Sequence, residues 1–479
     1  MNDIRNAARQ DFDKIIQDIA DYALDYDTTK SELAMLTARY CLMDSIACGM
    51  LALEFPACTK MLGPVVPGAD MEGGARVPGT AYELDPVQAA FNIGAIIRWL
   101  DYNDTWLAAE WGHPSDNLGA ILAVTDYLGR QGKRDIKVKD VLAASIKAHE
   151  IQGIIALENA FNRVGLDHVM LVRLASTAVA AQLLGCKREQ TVNAVSNAWI
   201  DGCSLRTYRH APNAGSRKSW AAGDASARGV RLALIAQSGE MGYPSALSAP
   251  IWGFQDVLYK GEAVVVNKPY ESYVMENILF KISYPAEFHA QTAVEAGVIL
   301  HPQVADRLAD IKEIVIETQE AGKRIIDKVG KLDNPADRDH CIQYMTAVAL
   351  LKGGLIAEDY EDDVAADPRI DALRDKMTVK ENPTFTENYH AADKRGIGNA
   401  VQVFFSDGDK TERVEIEYPV GHRNRREEGI PLLEAKFAAS LKSKFTAEEV
   451  VQLVDIFSSQ EKLEQLNVTD LMKRLSRVG

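Results

Sequence analysis

Leu171–Leu184 reads LVRLASTAVAAQLL and is followed directly by Gly185. An alanine-rich apolar run of this length that stops at a glycine predicts an α-helix with a glycine at its C-terminal end. Ala221–Gln237 (AAGDASARGVRLALIAQ) has the same character, with Gly239 just beyond its end. The small residues that open this second run allow another backbone to approach closely. The two runs therefore predict a fold built on tightly packed helices.

Helical spacing extends through most of the first 240 residues. Apolar residues recur three or four positions apart in two further segments: Leu33, Leu36, Tyr40, Met43 and Ile46, and then Val141, Leu142 and Ile146 with His149. The pattern changes near Tyr284–Pro285. Ile311–Thr318 (IKEIVIET) alternates like a half-buried strand. Val401–Phe405 and Glu412–Tyr418 flank Ser406–Asp409, whose Asp-Gly pair is typical of a hairpin turn.

Helical features return towards the C-terminus, where Thr446 and Glu449 have the spacing of a capping box. The order helical, mixed, helical predicts a mainly α protein with an inserted α+β second domain. We expect residues 1–277 to form the first part of the helical domain and residues 278–424 to form the α+β domain. Residues 425–479 are expected to supply C-terminal helices that complete the helical domain.

The composition is that of a globular protein with a large core, since 47% of the 479 residues are hydrophobic. The net charge of -15 disfavours nucleic acid as a partner and requires a local basic pocket for any anionic substrate. Neither a signal peptide at Met1–Asn6 nor a membrane-spanning apolar stretch is evident, which predicts a cytoplasmic protein without a membrane partner. Six scattered cysteines predict reduced thiols: Cys41, Cys48, Cys58, Cys186, Cys203 and Cys341.

Four segments carry more polar groups than packing requires: Arg98–Asp116, Asn162–His168, Arg206–Trp220, and Tyr284–His289 together with Asp337–Tyr344. The alternatives to a functional role are a capped turn, a capping histidine, a solvated basic face and a charged helix N-terminus. The third segment has four cations within 13 residues, which favours an anion site. His113 precedes a proline, which predicts an extended loop. No phosphate loop and no H-x-x-x-H pair occurs, so neither a nucleotide nor a metal cofactor is predicted.

Six stretches in order resemble the MmgE/PrpD family: Trp99–Trp106 (WLDYNDTW), Trp111–Asp116 (WGHPSD), Asn162–His168 (NRVGLDH), Gly215–Asp224 (GSRKSWAAGD), Tyr284–His289 (YPAEFH) and Asn334–His340 (NPADRDH). The resemblance implies a large all-helical domain and a smaller α+β lid domain, usually as a homodimer, with the active site between them. Activities of the family are dehydration of 2-methylcitrate, decarboxylation of cis-aconitate and epimerisation of a dicarboxylate, none of them with a metal.

The likeness is greatest to family members that dehydrate 2-methylcitrate in the methylcitrate cycle of propionate catabolism. It therefore implies a cofactor-free hydro-lyase that acts on a small tricarboxylate, with side activity on citrate or cis-aconitate left open. A decarboxylase or an epimerase of the same family is the nearest alternative. A non-catalytic scaffold that binds carboxylates is an alternative from a different class of protein.

The resemblance also carries roles onto individual residues. It implies catalytic positions at Asp101, His113, His168, Lys218 and Tyr344 and substrate-binding positions at Thr105 and His289, to which the basic run adds Arg209 and Arg217. Asn103 replaces one aspartate of the family's D-x-D-D-T motif, and Glu287 occupies a position where the family has a histidine. We expect the cations to bind carboxylates and the histidines to form the acid–base pair, with Asp101 orienting one of them.

Overall fold

The structure is a computed structural model that describes residues 8–202 and 204–477. The described residues of the N-terminal part form eleven α-helices: α1 Lys14–Asp25, α2 Glu32–Ala52, α3 Pro56–Thr59, α4 Pro86–Arg98, α5 Leu118–Arg130, α6 Val138–Glu158, α7 Val169–Leu183, α8 Arg188–Ile200, α9 Arg217–Gln237, α10 Phe254–Val257 and α11 Tyr273–Asn277. The described part of this region also has one short antiparallel pair, β1 (Ala75–Arg76) and β2 (Glu83–Leu84). The fold is therefore mainly α up to Asn277.

A four-stranded sheet and seven helices follow: β3 Ile311–Thr318, β4 Met377–Glu381, β5 Asn399–Phe405, β6 Val414–Ile416, α12 Gln291–Val304, α13 Glu320–Ile326, α14 Pro335–Arg338, α15 Ile342–Lys352, α16 Asp362–Ala365, α17 Pro368–Arg374 and α18 Pro383–His390. The strand order is β4-β3-β5-β6. β3 pairs in parallel with β4, and the remaining pairs are antiparallel. The chain ends with helices: α19 Arg426–Leu441, α20 Ala447–Ser458, α21 Gln460–Gln465 and α22 Val468–Leu475.

The buried apolar side chains form two main cores. The first joins the N-terminal helices to the C-terminal ones, since α19 packs on α2 and α22 packs on α5. The second consists of β3–β5 and the helices around them, above all α12 and α15. Four residues within the predicted α+β segment 278–424 pack in the first core: Ile278, Phe280, Ile282 and Val420. A mainly α protein with an α+β part is thus confirmed.

The expected close approach of helices occurs between α4 and α9. A Cβ atom added at Gly223 would lie 2.5 Å from the carbonyl oxygen of Phe91, and one at Gly94 would lie 2.7 Å from Gly223 Cα. Glycine is required at these two positions because any larger residue would push the helices apart. Contact between these helices holds Lys218, on the first turn of α9, close to Arg98 at the end of α4.

Most local predictions are confirmed. The predicted strand at Ile311–Thr318 is β3, the hairpin is β5–β6, and Thr446 accepts a hydrogen bond from the backbone N–H of Glu449 in the capping box. β4 was not predicted, because a central valine flanked by exposed polar residues has little apolar alternation. Five of the cysteines are free and buried, while Cys203 and Met1–Asn6 lie outside the described residues. In the part of the chain that is described, no helix is long and apolar enough to cross a membrane.

Lys436 on α19 anchors two segments that reach the candidate site. Its Nζ donates hydrogen bonds to Asp44 Oδ1 (2.7 Å) and to the main-chain carbonyls of Tyr102 (3.1 Å) and Lys281 (2.9 Å). The ammonium is buried, so these acceptors offset the cost of removing its charge from water. The C-terminal helix thereby fixes the backbone next to Asp101 and at Lys281.

Candidate active site

Asp101 is the centre of a buried ion cluster. It follows α4 in a left-handed conformation (φ 50°), which is uncommon outside glycine and more frequent at functional positions. Its Oδ1 accepts hydrogen bonds from Arg98 (2.5 Å) and from Lys281 Nζ (2.5 Å). Burial raises the pKa of Asp101, but the two cations outweigh burial and hold it well below its usual range. The carboxylate is therefore charged, and it faces one cation more than it can neutralise.

His113 lies in the loop after this aspartate and is held through both ring nitrogens. Its Nδ1 is 2.6 Å from the carbonyl oxygen of Asp104, which fixes the proton on that nitrogen, and its Nε2 is 2.9 Å from Arg98 Nη2. The backbone at His113 is extended, as its position before Pro114 predicts. Burial, followed by the charges of Arg98 and Lys281, lowers the pKa of His113 well below its usual value. The imidazole is thus neutral at pH 7.

A buried Asp104–His149 pair supports the same loop. His149 on α6 places Nε2 at 2.8 Å from Asp104 Oδ2, and the other carboxylate oxygen accepts the backbone N–H of Ser115. Because the main-chain carbonyl of Asp104 receives His113 Nδ1–H, this pair determines where His113 points. The sequence showed both residues, but nothing in their spacing indicated that they would meet.

His168 faces His113 across the site, with ring centroids 5.6 Å apart. Neither of its ring nitrogens has a hydrogen-bond partner among the described residues, although the residue is only 2% exposed. Burial lowers its pKa well below the usual value, with Arg209 and Arg206 adding to the effect against Asp167. A buried neutral imidazole with two unsatisfied nitrogens is available to exchange a proton with a ligand.

Two arginines from the 3-10 turn Arg206–Arg209 point into the site. Arg209 forms a buried ion pair with Asp167, the residue before His168. Arg206 Nη1 lies 3.8 Å from Glu110 Oε1, which is too far for a hydrogen bond. Neither of these two atoms has a hydrogen-bond partner in the described part of the chain. Burial raises the pKa of Glu110 to about 7, against the opposing effect of Arg206. Arg206 is therefore incompletely neutralised.

Glu110 gives a testable pH dependence. Its unfolded pKa is about 4, so between about pH 4 and 7 the folded protein retains a proton that the unfolded chain releases. The stability from this group is complete below that range and is lost as the pH rises through 7. Between pH 5 and 8 we expect the free energy of unfolding of the unmodified protein to fall by about 3 kcal/mol more than that of Glu110→Gln, whose side chain cannot ionise. Urea unfolding at both pH values measures the difference, and identical pH dependence would contradict the prediction.

Lys218 joins the helical part to the α+β part. Its Nζ forms a buried ion pair with Asp339 and lies 3.0 Å from His340 Nδ1. Burial lowers the pKa of Lys218 despite the raising effect of Asp339. His340 Nε2 is in turn 3.8 Å from Asp101 Oδ2, which connects this pair to the central cluster. Lys218 therefore lies between Asp101 and the contact of the helical part with the α+β part.

His289 belongs to a second histidine–carboxylate pair. Its Nδ1 is 2.8 Å from Glu287 Oε1, and its Nε2 is 3.3 Å from the Tyr389 hydroxyl. Glu287 also accepts the backbone N–H of His289, which fixes the turn. Burial raises the pKa of Glu287, but the neighbouring His289 outweighs burial and lowers it. Glu287, which departs from the family pattern, thus has a defined task here in orienting His289.

These groups line one enclosed pocket that has about 20 Å³ of free space, room for about one water molecule. The predicted residues that line it are Asp101, Thr105, His113, His168, Arg209 and His289. Lys218 adjoins the pocket through His340. The charged side chains that line or border it include five cations, Arg98, Arg206, Arg209, Lys218 and Lys281, and four paired carboxylates, Asp101, Asp167, Glu287 and Asp339. The basic pocket that an anionic substrate requires is present.

Two predicted residues lie outside this pocket. Arg217 is about half exposed and stacks on Trp220, with its guanidinium 4.3 Å from the ring centroid. The Tyr344 hydroxyl donates a hydrogen bond to the main-chain carbonyl of Asp359 (2.7 Å). The sequence predictions assigned no role to Lys281 or Arg98. Each is a lone cation within an apolar run, and this was the signal that could have identified them.

Among the residues that the structure describes, two groups have donor atoms close enough to hold a metal ion, within 4.8 Å of one another. The first, Asp101 with Asp339 and His340, is already neutralised by Arg98, Lys218 and Lys281, which repel a dication. The second, Cys41 with Asp104 and His149, is fully buried, and burial raises the pKa of the Cys41 thiol well above its usual value. In each group the carboxylate is already paired, with cations in the first and with His149 in the second, and this disfavours a divalent metal.

The cation-rich pocket is suited to a ligand that carries carboxylates. The chain belongs to the MmgE/PrpD family: it matches the MmgE/PrpD N-terminal domain over residues 17–266 and the MmgE/PrpD C-terminal domain over residues 284–461. It is 60% identical to the 2-methylcitrate dehydratase of Salmonella typhimurium over 97% of each chain, and 59% identical to that of Escherichia coli K12 over 98% of each. The mitochondrial 2-methylcitrate dehydratase of Yarrowia lipolytica is 57% identical over 93% of this chain and 87% of its own.

Proposed function

We propose that this protein is a 2-methylcitrate dehydratase, a hydro-lyase that converts 2-methylcitrate to 2-methyl-cis-aconitate and water. The observation that carries the proposal is the enclosed pocket in which surplus cations surround two neutral histidines. Full-length similarity to 2-methylcitrate dehydratases of bacteria and yeasts supports the same conclusion.

The reaction breaks a C–H bond next to a carboxylate and a C–O bond on the neighbouring carbon. The proton becomes acidic only when that carboxylate is neutralised, which is the task of preorganised cations. Arg98 and Lys281 share one carboxylate, Asp101, so their surplus charge is available to the substrate. Arg209 and Lys218 border the same pocket and would bind further carboxylates.

His168 is the better placed proton acceptor, because both of its nitrogens lack partners among the described residues. His113, whose Nδ1 is committed to the carbonyl of Asp104, would act through Nε2 on the opposite side of the substrate. His168 takes the proton from carbon. The substrate carboxylates offset Arg98 and Lys281, whose charges add to burial in lowering the pKa of His113, so in the complex His113 Nε2 carries the proton that it donates to the departing hydroxyl. Thr105, 3.4 Å from His113 Nδ1, is placed to donate a hydrogen bond to the substrate, and His289 lines the same pocket as a substrate contact.

The finer features of the family belong to the same proposal. The α+β part, residues 278–424, acts as a lid on the helical domain formed by residues 1–277 and 425–479. Support comes from the separate cores and from the size of the pocket, which must widen to admit a tricarboxylate. The enzyme works as a metal-independent cytoplasmic homodimer in propionate catabolism. Tyr344 and Arg217 keep their predicted roles as a hydrogen-bond donor and a carboxylate ligand at the wider, open site.

The test is the ultraviolet absorbance of the conjugated product, followed with purified protein, 2-methylcitrate and excess chelator. We expect a steady rise whose rate is unchanged by the chelator. A flat trace with folded protein and several stereoisomers would remove the dehydratase assignment. Release of CO2 from cis-aconitate would then favour a decarboxylase, and tight binding of tricarboxylates without turnover would favour a scaffold.

A further inference from the structure

A second phenol, that of Tyr360, lies beside the site and was not indicated by the sequence. It ends the 3-10 turn Ala357–Tyr360 and is 4% exposed. Its ring stacks on that of Tyr344, with centroids 6.0 Å apart and planes inclined by 28°. The main-chain carbonyl of Tyr360 accepts a hydrogen bond from Arg338 Nη1 (2.6 Å), which holds the turn in place.

The two stacked phenols differ in how their hydroxyl groups are used. The Tyr344 hydroxyl donates to the carbonyl of Asp359 in this structure and must give up that bond to reach a substrate. The Tyr360 hydroxyl is buried and has no hydrogen-bond partner among the described residues. An unsatisfied buried hydroxyl costs the folded protein free energy, so a ligand that accepts its hydrogen bond would be bound more tightly.

The surroundings of Tyr360 show which ligand fits. Tyr360 lines a cleft of about 370 Å³ at the joint of the two parts, together with Lys218, Asp339 and Ser219. Lys218 and Asp339 border the enclosed pocket as well, so the cleft adjoins the proposed active site. Burial, followed by the charges of Asp339 and Asp101, raises the pKa of Tyr360 well above its usual value. The phenol therefore remains protonated and acts as a donor, which suits an anionic acceptor.

We infer that the Tyr360 hydroxyl donates a hydrogen bond to a substrate carboxylate that Lys218 also binds. The inference rests on the proposed function in one respect, that the substrate carries carboxylates. In this structure the Lys218 ammonium forms an ion pair with Asp339. When the substrate fills the cleft, a substrate carboxylate replaces Asp339 as the partner of Lys218. Tyr360 then completes the coordination of that carboxylate from the α+β side.

The experiment compares the unmodified protein with Tyr360→Phe, which removes only the hydroxyl. Steady-state kinetics with 2-methylcitrate and titration calorimetry with citrate give two independent measurements. We expect kcat/KM to fall roughly ten- to a hundredfold, mostly through KM, and the affinity for citrate to fall by a similar factor. The free energy of unfolding is expected to stay equal or to rise, because an unsatisfied group has been removed.

The matched control is Tyr270→Phe. The Tyr270 hydroxyl is also buried without a partner in the described part of the chain. Its ring packs against Tyr22, at a centroid distance of 5.3 Å, and lines a different pocket that shares no residue with the proposed site or its cleft. Its removal is expected to change neither kinetics nor affinity. Tyr344→Phe serves as the comparison, because it gives up a hydrogen bond and is expected to lower the stability.

The results separate the inference from the function on which it rests. Unchanged kcat/KM and unchanged citrate affinity in Tyr360→Phe would overturn the inference while leaving the dehydratase assignment intact. A loss in Tyr344→Phe without any loss in Tyr360→Phe would overturn it in favour of the other phenol. If the unmodified protein binds citrate but does not dehydrate 2-methylcitrate, the assignment fails, and a weaker affinity in Tyr360→Phe still supports the carboxylate site.

Discussion

Lys218→Met is expected to lower kcat/KM for 2-methylcitrate by roughly a hundredfold or more, the scale of losing one preorganised charge at the reacting centre. The ammonium is 3% exposed at the joint of the two parts, where a substrate carboxylate would meet it. Steady-state kinetics measure the effect. Methionine keeps an unbranched side chain that is only one atom shorter than lysine, so the loss reports mainly the charge rather than a cavity.

The same change leaves Asp339 without its main cation, so stability must be followed in parallel. Breaking a buried ion pair from one side costs about 3 kcal/mol or more. The double variant Lys218→Met/Asp339→Asn removes both charges and is expected to recover most of the lost stability without recovering activity. If the double variant regained near-normal turnover, Lys218 would serve the fold and not the substrate.

His168→Gln is expected to lower kcat by roughly a hundredfold or more and to leave the free energy of unfolding nearly unchanged. The reason is that neither ring nitrogen makes a hydrogen bond with a described residue, and Asp167 Oδ1, 3.4 Å from Nδ1, already accepts a hydrogen bond from Arg209. A loss of proton transfer without a loss of stability is typical of a group kept for the ligand. Kinetics and urea unfolding at pH 7.5 measure the two quantities.

His113→Gln is the matched comparison for this variant. It is expected to lower kcat to a similar degree but also to destabilise the protein by about 1 kcal/mol or more, because the bonds with the Asp104 carbonyl and with Arg98 are lost. Full activity in His168→Gln would exclude His168 from the proton transfer. Full activity in His113→Gln would leave it a purely structural anchor of the loop.

The sequence by itself determined the classes of structure and the general place of the chemistry. Helices at Leu171–Leu184 and Ala221–Gln237, the strand at Ile311–Thr318 and the Thr446 capping box follow from contacts between residues close in the chain. Such local preferences are visible in any window of sequence. Family likeness then supplied five of the residues that line the pocket, Asp101, Thr105, His113, His168 and His289, and the basic run added Arg209.

Only the tertiary structure decided which groups are paired and which are free. Asp101 meets Lys281 across 180 positions of the chain, and Lys218 meets Asp339 across 121, so no spacing rule could join them. The same holds for the hydroxyl groups of the two tyrosines. The Tyr344 hydroxyl donates to a main-chain carbonyl, whereas the Tyr360 hydroxyl has no hydrogen-bond partner among the described residues. The physical reason is that charge pairing and pKa depend on burial, and burial exists only once distant segments have packed together.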